Sequence, residues 1–414
     1  MSLTMALLAL FLLLLAAQVG GYLFDVCKLP RVIGEIGGGL LLGPTVLGKL
    51  FPGISATLFA GTNNNLLSLI SMLGLILLMT VSGFEMPGGL SGKQRKTVGI
   101  LLAGATILPL IIGFSVPYVI DLSAFRGPDA GLFSFSIVLA LAIAVTSIPV
   151  IARIFFDLHM LETTFARIIL ATATLEDIVL WGLLTVATGF ATVQVVSWLA
   201  VARGIIIALI FLFVAIKILP VVLRLNFVHK INFLTRFSPL AGALLLSLAL
   251  SLAAIALGLN AVFGALAAGL IIGSLGSTAF VEVRQQVRKF SMAFFIPLYF
   301  AIVGVRLNLW HGFNLGYILI FIAFAIFIKT CSVLFASRVS GFSWQSSLDF
   351  AVALNARGGP GIVLATTAYE AHIVNEQFFI ILLLTALLTS LLAGVWFRHG
   401  LKVRGMNYFS EEFS

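Results

Sequence analysis

From residue 3 to residue 397 one apolar stretch follows another, most of them close to 20 residues long. At a helical rise of about 1.5 Å per residue, such a stretch crosses a hydrocarbon core of about 30 Å. Thirteen are read, near 3–23, 32–50, 65–84, 97–119, 132–154, 163–190, 195–223, 238–257, 259–277, 287–305, 313–338, 346–369 and 376–397. In lipid every backbone polar group must find its partner inside the chain, so the expected fold is an all-α polytopic membrane protein. Charge content agrees. Only 9% of residues are charged, against about 25% in a soluble domain, too few to clothe a water-facing surface.

The net charge of +9 is a topology signal, not a nucleic-acid footprint, because the basic residues sit in short loops between apolar stretches. The odd-numbered loops and the C-terminal tail hold 17 Lys and Arg, and the even-numbered loops hold 3. The expected orientation therefore puts the N-terminus outside and the C-terminus in the cytoplasm; the membrane expected is the bacterial inner (cell) membrane. The first stretch lacks a basic leader and a cleavage pattern, so it reads as a spanning helix and not a signal peptide. Cys27 and Cys331 stand too far apart in sequence to suggest a metal or disulfide motif.

The two halves of the chain echo each other. Gly-Gly-Gly-Leu-Leu-Leu-Gly at 37–43 has a counterpart in Gly-Ala-Leu-Ala-Ala-Gly-Leu-Ile-Ile-Gly at 264–273. Ser82-Gly83-Phe84-Glu85 closes the third span, and Val303-Gly304-Val305-Arg306 closes the tenth. Val145-Thr146-Ser147-Ile148-Pro149 interrupts the fifth, and Asn355-Ala356-Arg357-Gly358-Gly359-Pro360-Gly361 the twelfth. With spans 1–6 and 8–13 as units and span 7 between them, the repeats are inverted. Proline removes a donor and glycine loosens a helix, so spans 5 and 12 are expected to be crossed discontinuous helices. Unpaired backbone at membrane depth survives where it lines a site, and paired interruptions mark a transporter's binding site.

Glu176 and Asp177 stand in the middle of the sixth span. One charge at a helix centre costs about 2.5–3.5 kcal/mol on insertion scales. Adjacent residues point about 100° apart, so one acid faces the broken helices and the other a cavity or a neighbour. Lys329, mid-span, is the evident counter-charge, and Arg357 lies in the second broken helix. Glu85 and Arg357 could form a brace. A carboxylate in a wet cavity holds either a proton or a hard monovalent cation, and binding one expels the other. Thr146 and Ser147 offer further oxygen ligands, so Asp177, Glu176 and Thr146 are the candidate cation ligands. No Ser-His-Asp set, HExxH or paired-acid protease motif is found, which argues against an enzyme.

These residues resemble a known family. Leu29-Pro30-Arg31-Val32-Ile33-Gly34-Glu35, Leu40–Pro44, Gly83-Phe84-Glu85, Thr146–Val150, Glu176-Asp177, Gly304-Val305-Arg306, Lys329 and Asn355–Gly358 occur in the family order of the monovalent cation:proton antiporters. The branch is that of the Kef-type potassium efflux systems and bacterial Na⁺/H⁺ antiporters. The resemblance implies scaffold and dimer helices in 1–90, transport helices in 91–190, a connecting helix and scaffold helices in 191–308, transport helices in 309–400, and a short cytoplasmic tail in 401–414. It also implies a homodimer in the bilayer, and no cofactor beyond the transported ions. Asp177 matches the carboxylate that exchanges ion for proton, Lys329 the lysine paired with it in electrogenic members, and Thr146 and Ser147 the broken-helix ligands. Glu176 departs from the Asp, Asn or Gln expected at its position, which leaves stoichiometry open. The expected function is exchange of Na⁺, or second K⁺, for protons. The alternatives are a ligand-gated K⁺ efflux pathway or channel, and an organic cation/proton antiporter. Na⁺ against K⁺, and any regulatory subunit, stay open.

Overall fold

In the computed structural model the chain is described from residue 3 to 411, apart from 28, 30, 60–61, 85–90, 129, 161–162, 192–197, 220–237, 275–277 and 311–312. Among the described residues the regular structure is helical, with one isolated bridge between Arg126 and Val374. The helices are α1 (Leu3–Val26), α2 (Arg31–Leu42), α3 (Leu47–Leu50), α4 (Pro52–Phe59), α5 (Thr62–Gly83), α6 (Gly92–Leu102), α7 (Leu108–Val119), α8 (Leu132–Ala144), α9 (Ile148–Asp157) and α10 (Thr164–Gly189). They continue with α11 (Trp198–Phe213), α12 (Pro239–Ala256), α13 (Ala261–Ser274), α14 (Thr278–Phe290), α15 (Ile296–Val305), α16 (Leu315–Val339), α17 (Trp344–Leu354), α18 (Gly358–Glu370) and α19 (Glu376–Glu411). π-helical turns at Ala103–Ile107 and Ser291–Phe295 join α6 to α7 and α14 to α15. Eight helical stretches among the described residues are long and apolar enough to cross a membrane.

Local chemistry sets many of the helix starts. Ser91 accepts from the backbone N–H of Gln94 while Gln94 reaches back to Ser91, a reciprocal cap on α6. Thr163, Ser238, Asn314 and Ser343 cap α10, α12, α16 and α17 through their side-chain oxygens.

Three expectations need correction. The second span, read over 32–50, stops at Leu42, because Pro44 lacks a donor and disfavours helix in the residue before it. The breaks fall before the prolines, at 145–147 and 355–357. Pro149 and Pro360 are the second and third residues of α9 and α18, where a missing N–H costs least. The last helix runs past 397 to Glu411, with a kink at Gly405. Its extension is held by Asp349 of α17, which accepts from Trp396 Nε1 at 2.8 Å and from both terminal nitrogens of Arg404.

The chain divides into two compact units. Unit 1 comprises Met1–Glu85 and Ala202–Trp310. Within it α2 packs on α1 and α15, while α13 packs on α12 and α5. Small residues permit this. A Cβ on Gly34 would stand 2.1 Å from the Gly20 carbonyl oxygen, and one on Gly39 would stand 1.9 Å from that of Ala301. Unit 2 comprises Met86–Val201 and His311–Ser414 and holds both broken helices. Phe155, Phe165, Phe350 and Phe397 form one aromatic cluster there, with centroids 5.1 to 5.8 Å apart.

Candidate functional site

The two helix breaks of unit 2 meet. Ser147 N–H donates to the Ala356 carbonyl at 2.6 Å, and the Thr146 hydroxyl lies 2.7 Å from the Leu354 carbonyl oxygen. A helix that stops at membrane depth leaves its last carbonyls without intrahelical partners and concentrates negative dipole there. At the end of α8 two cations answer this. Arg357 donates through Nε to Ala142 O and through Nη2 to Ile143 O, both at 3.1 Å, while Lys329 donates to Ala144 O. Arg357 also reaches Ala325 O at 3.1 Å and Asn355 O at 3.3 Å. Its partners are carbonyls, and the Glu85 proposed as its brace lies outside the described residues.

The restarting helices are capped by hydroxyls. Ser147 Oγ accepts from Val150 N–H at 3.3 Å at the start of α9. Thr389 and Ser390 of α19 accept from the N–H groups of Arg357 and Gly358 at 3.3 and 3.0 Å. Asn355 donates through Nδ2 to Thr330 Oγ1 and to Ala351 O. Gly358 adopts φ +32°, and Gly359 and Pro360 complete the first turn of α18.

The acidic pair divides its work. Glu176 Oε1 accepts from Lys329 Nζ at 2.7 Å, and Glu176 Oε2 stands 2.7 Å from Thr146 Oγ1. Lys329 also donates to Thr146 Oγ1 at 2.7 Å. The three donors of its ammonium are therefore matched by Ala144, Thr146 and Glu176. All three side chains are fully buried. Asp177 is equally buried, yet neither of its oxygens has a hydrogen-bond partner among the described residues. The geometry thus brings Thr146, Glu176 and Lys329 together and leaves Asp177 outside their network. The lysine bonds to Glu176, where the family resemblance had implied Asp177.

The Ser147 hydroxyl serves the break itself, while the Thr146 hydroxyl stands between the Leu354 carbonyl at the break and the Glu176–Lys329 pair. Glu35, a further acid read within a span, accepts from Arg31 Nε at 3.1 Å in unit 1. Sequence reading missed the capping pair Thr389-Ser390 and the carbonyls of Ala142–Ala144. A Thr-Ser pair in an otherwise apolar span was the signal for the first. Backbone carbonyls carry none.

Residues 10–403 match the family described as sodium/hydrogen exchanger, transmembrane. The chain is 27% identical over 403 residues to K(+)/H(+) antiporter 1 of Saccharomyces cerevisiae, covering 94% of this chain and 45% of the yeast protein. It is 26% identical over 387 residues to Na(+)/H(+) antiporter NhaS4 of Synechocystis sp., covering 91% of this chain and 92% of that protein. The chain spans about half the length of several of the curated relatives it matches. The fold is similar to that of the sodium proton antiporter MjNhaP1 from Methanocaldococcus jannaschii, with a TM-score of 0.64, 18% identity and full coverage of both chains. These relatives are transporters and not enzymes. The chain is an integral membrane protein that belongs to the sodium/hydrogen exchanger family.

Proposed function

We propose that this chain exchanges a monovalent cation for protons by alternating access, with Asp177 as the carboxylate that carries each in turn. One observation carries the reading: Asp177 is fully buried with neither oxygen partnered among the described residues, one residue from a glutamate whose bonds are satisfied. A buried carboxylate without partners is costly unless a proton or a cation neutralises it. That competition is the chemistry antiport needs. Na⁺ is the first choice and K⁺ the second; relatives carry both names.

Thirteen crossings in two inverted repeats is the architecture that fits. In unit 1 the second span (α2) packs on the tenth (α15), and the ninth (α13) on the third (α5), the reciprocal pairing that a repeat requires. The division of the chain supports a scaffold in unit 1 and a transport core in unit 2. A homodimer in the bacterial inner membrane, N-terminus outside, completes the reading. Reconstituted in liposomes with a pH-sensitive dye, the protein should move protons when a Na⁺ or K⁺ gradient is imposed. Asp177→Asn should reduce this to the level of empty liposomes. Intact cation-driven proton movement in that variant sinks the assignment, and current without coupled protons identifies a channel.

A further inference from the structure

The basic residues of the even-numbered loops are Lys49, Arg126 and Arg306, and two of them have partners. Lys49 Nζ stands 3.1 Å from the centre of the Trp310 ring, and Arg306 Nη2 donates to Ser68 Oγ at 3.2 Å. The Arg126 guanidinium donates to no acceptor among the described residues. It lines a cavity of about 330 Å³ in unit 2, between the end of α7 and the start of α8.

Asp121 lines the same cavity, ahead of the turn Ser123–Phe125 that Arg126 follows. Its Oδ1 accepts from Ser123 N–H at 2.9 Å, and Arg126 N–H donates to Ser123 O at 3.2 Å, so one turn sets both charges. The bonds with Ser123 hold the Asp121 carboxyl below its usual range, which keeps it ionised at neutral pH. Arg126 favours that charge through space without a bond to it, so the cavity presents an anion and a cation that do not quench each other. The turn is pinned in place. Phe125 O accepts from Asn375 N–H and Gly127 N–H donates to Ile373 O, both at 3.1 Å, and a Cβ on Gly127 would stand 1.8 Å from His372 O. A site held this way needs little ordering when a ligand arrives.

The apolar wall of the cavity belongs to the membrane boundary. The stretch Gly92–Val119 is a 28-residue apolar span, and the cavity begins where it ends. There Tyr118, Val119 and Ile120 are 55%, 84% and 54% exposed. At the end of a spanning helix such side chains meet acyl chains, and tyrosine favours that boundary.

We propose that this cavity binds the headgroup of a phosphatidylethanolamine, with Arg126 on the phosphate, Asp121 on the primary ammonium, and the acyl chains against Val119 and Ile120. The charge pair selects this chemistry. A guanidinium matches a phosphate with parallel donors. A carboxylate offers about four acceptor positions, more than Ser123 fills, and an ammonium can donate to the rest. A choline headgroup has no N–H to give. A phosphatidylglycerol headgroup brings no cation for Asp121. The site does not depend on which carboxylate carries the transported ion.

Lipid titration of the purified protein in detergent tests this, read as the rise in melting temperature with acyl chains matched. Phosphatidylethanolamine should half-saturate at a concentration about ten-fold below phosphatidylcholine or phosphatidylglycerol. Asp121→Asn keeps an acceptor for Ser123 and should bring the ethanolamine and choline lipids to the same value. Arg126→Gln should weaken both about ten-fold. Equal half-saturation by the three lipids in unsubstituted protein overturns the proposal, as does a preference unchanged in both variants. A measurement without substitutions guards against a variant that fails to fold. From an equimolar mixture of the three lipids, native mass spectrometry should show phosphatidylethanolamine retained on the protein in preference; retention in proportion to the mixture sinks the proposal. Water-soluble phosphoethanolamine, which lacks acyl chains, should give no rise at the same concentrations. An equal rise with it would refute a lipid as the occupant.

Discussion

At the scale of single residues, the bonds of Glu176, Lys329 and Thr146 form one unit in a fully buried place. Removing one partner of a buried ion pair leaves the other uncompensated, at about 3–5 kcal/mol. Glu176→Gln and Lys329→Gln should each lower the melting temperature in detergent sharply, while the double variant recovers most of the loss. Additive losses would show that the pair is not coupled. The sequence made the participants legible, because charges are expensive inside an apolar span. Which acid the lysine takes was not legible. Glu176 and Asp177 differ by about 100° around α10, and the rotation of that helix is set by its packing on α6, α8 and α9.

At the scale of elements, the crossing of the two breaks depends on how closely α18 begins beside α9. Gly358 adopts φ +32°, and a Cβ there would stand 2.2 Å from Val150 Cγ2 and 2.7 Å from Ser147 Oγ. Val150 is β-branched and stiff, and Ser147 Oγ is already occupied capping α9. Gly358→Ala should therefore destabilise the protein by about 1–3 kcal/mol, combining overpacking with an unfavourable backbone conformation. Adding Val150→Ala should restore part of the lost melting temperature and exchange. If the second substitution only adds to the damage, the contact does not set the crossing. The existence of both breaks was legible from Gly, Pro, Ser and Thr clustering in apolar stretches. Their exact edges were not. Proline reads as a breaker in a string of letters, yet Pro149 and Pro360 lie in the first turns of new helices, where the missing N–H would have been unbonded anyway. The early end of α2 at Leu42 has the same kind of cause: hydropathy continues past Pro44, but the backbone does not.

At the scale of the molecule, unit 2 holds four buried ionisable side chains together, and their bonds count the charges that can move. Arg357 is held by four carbonyls. Lys329 has a partner for each of its three donors, one of them the carboxylate of Glu176. Neither the lysine nor the glutamate can take part in exchange without breaking that set at membrane depth. With Asp177 as the proposed carrier, one carboxylate would exchange one monovalent cation for one proton, so the cycle should be electroneutral. Hydropathy and loop charge made the membrane fold legible; this count was not legible, because it depends on which acid Lys329 holds. The consequence can be measured. One net charge moved through a potential of 100 mV is worth about 2.3 kcal/mol, roughly fifty-fold in a concentration ratio. In proteoliposomes with a fixed pH gradient, the Na⁺ ratio at balance should be the same with or without a 100 mV potential set by a lipophilic cation. A ratio that moves by tens of fold would mean that a second proton travels per cycle, and the natural source would be the Lys329–Glu176 pair opening when the cation binds.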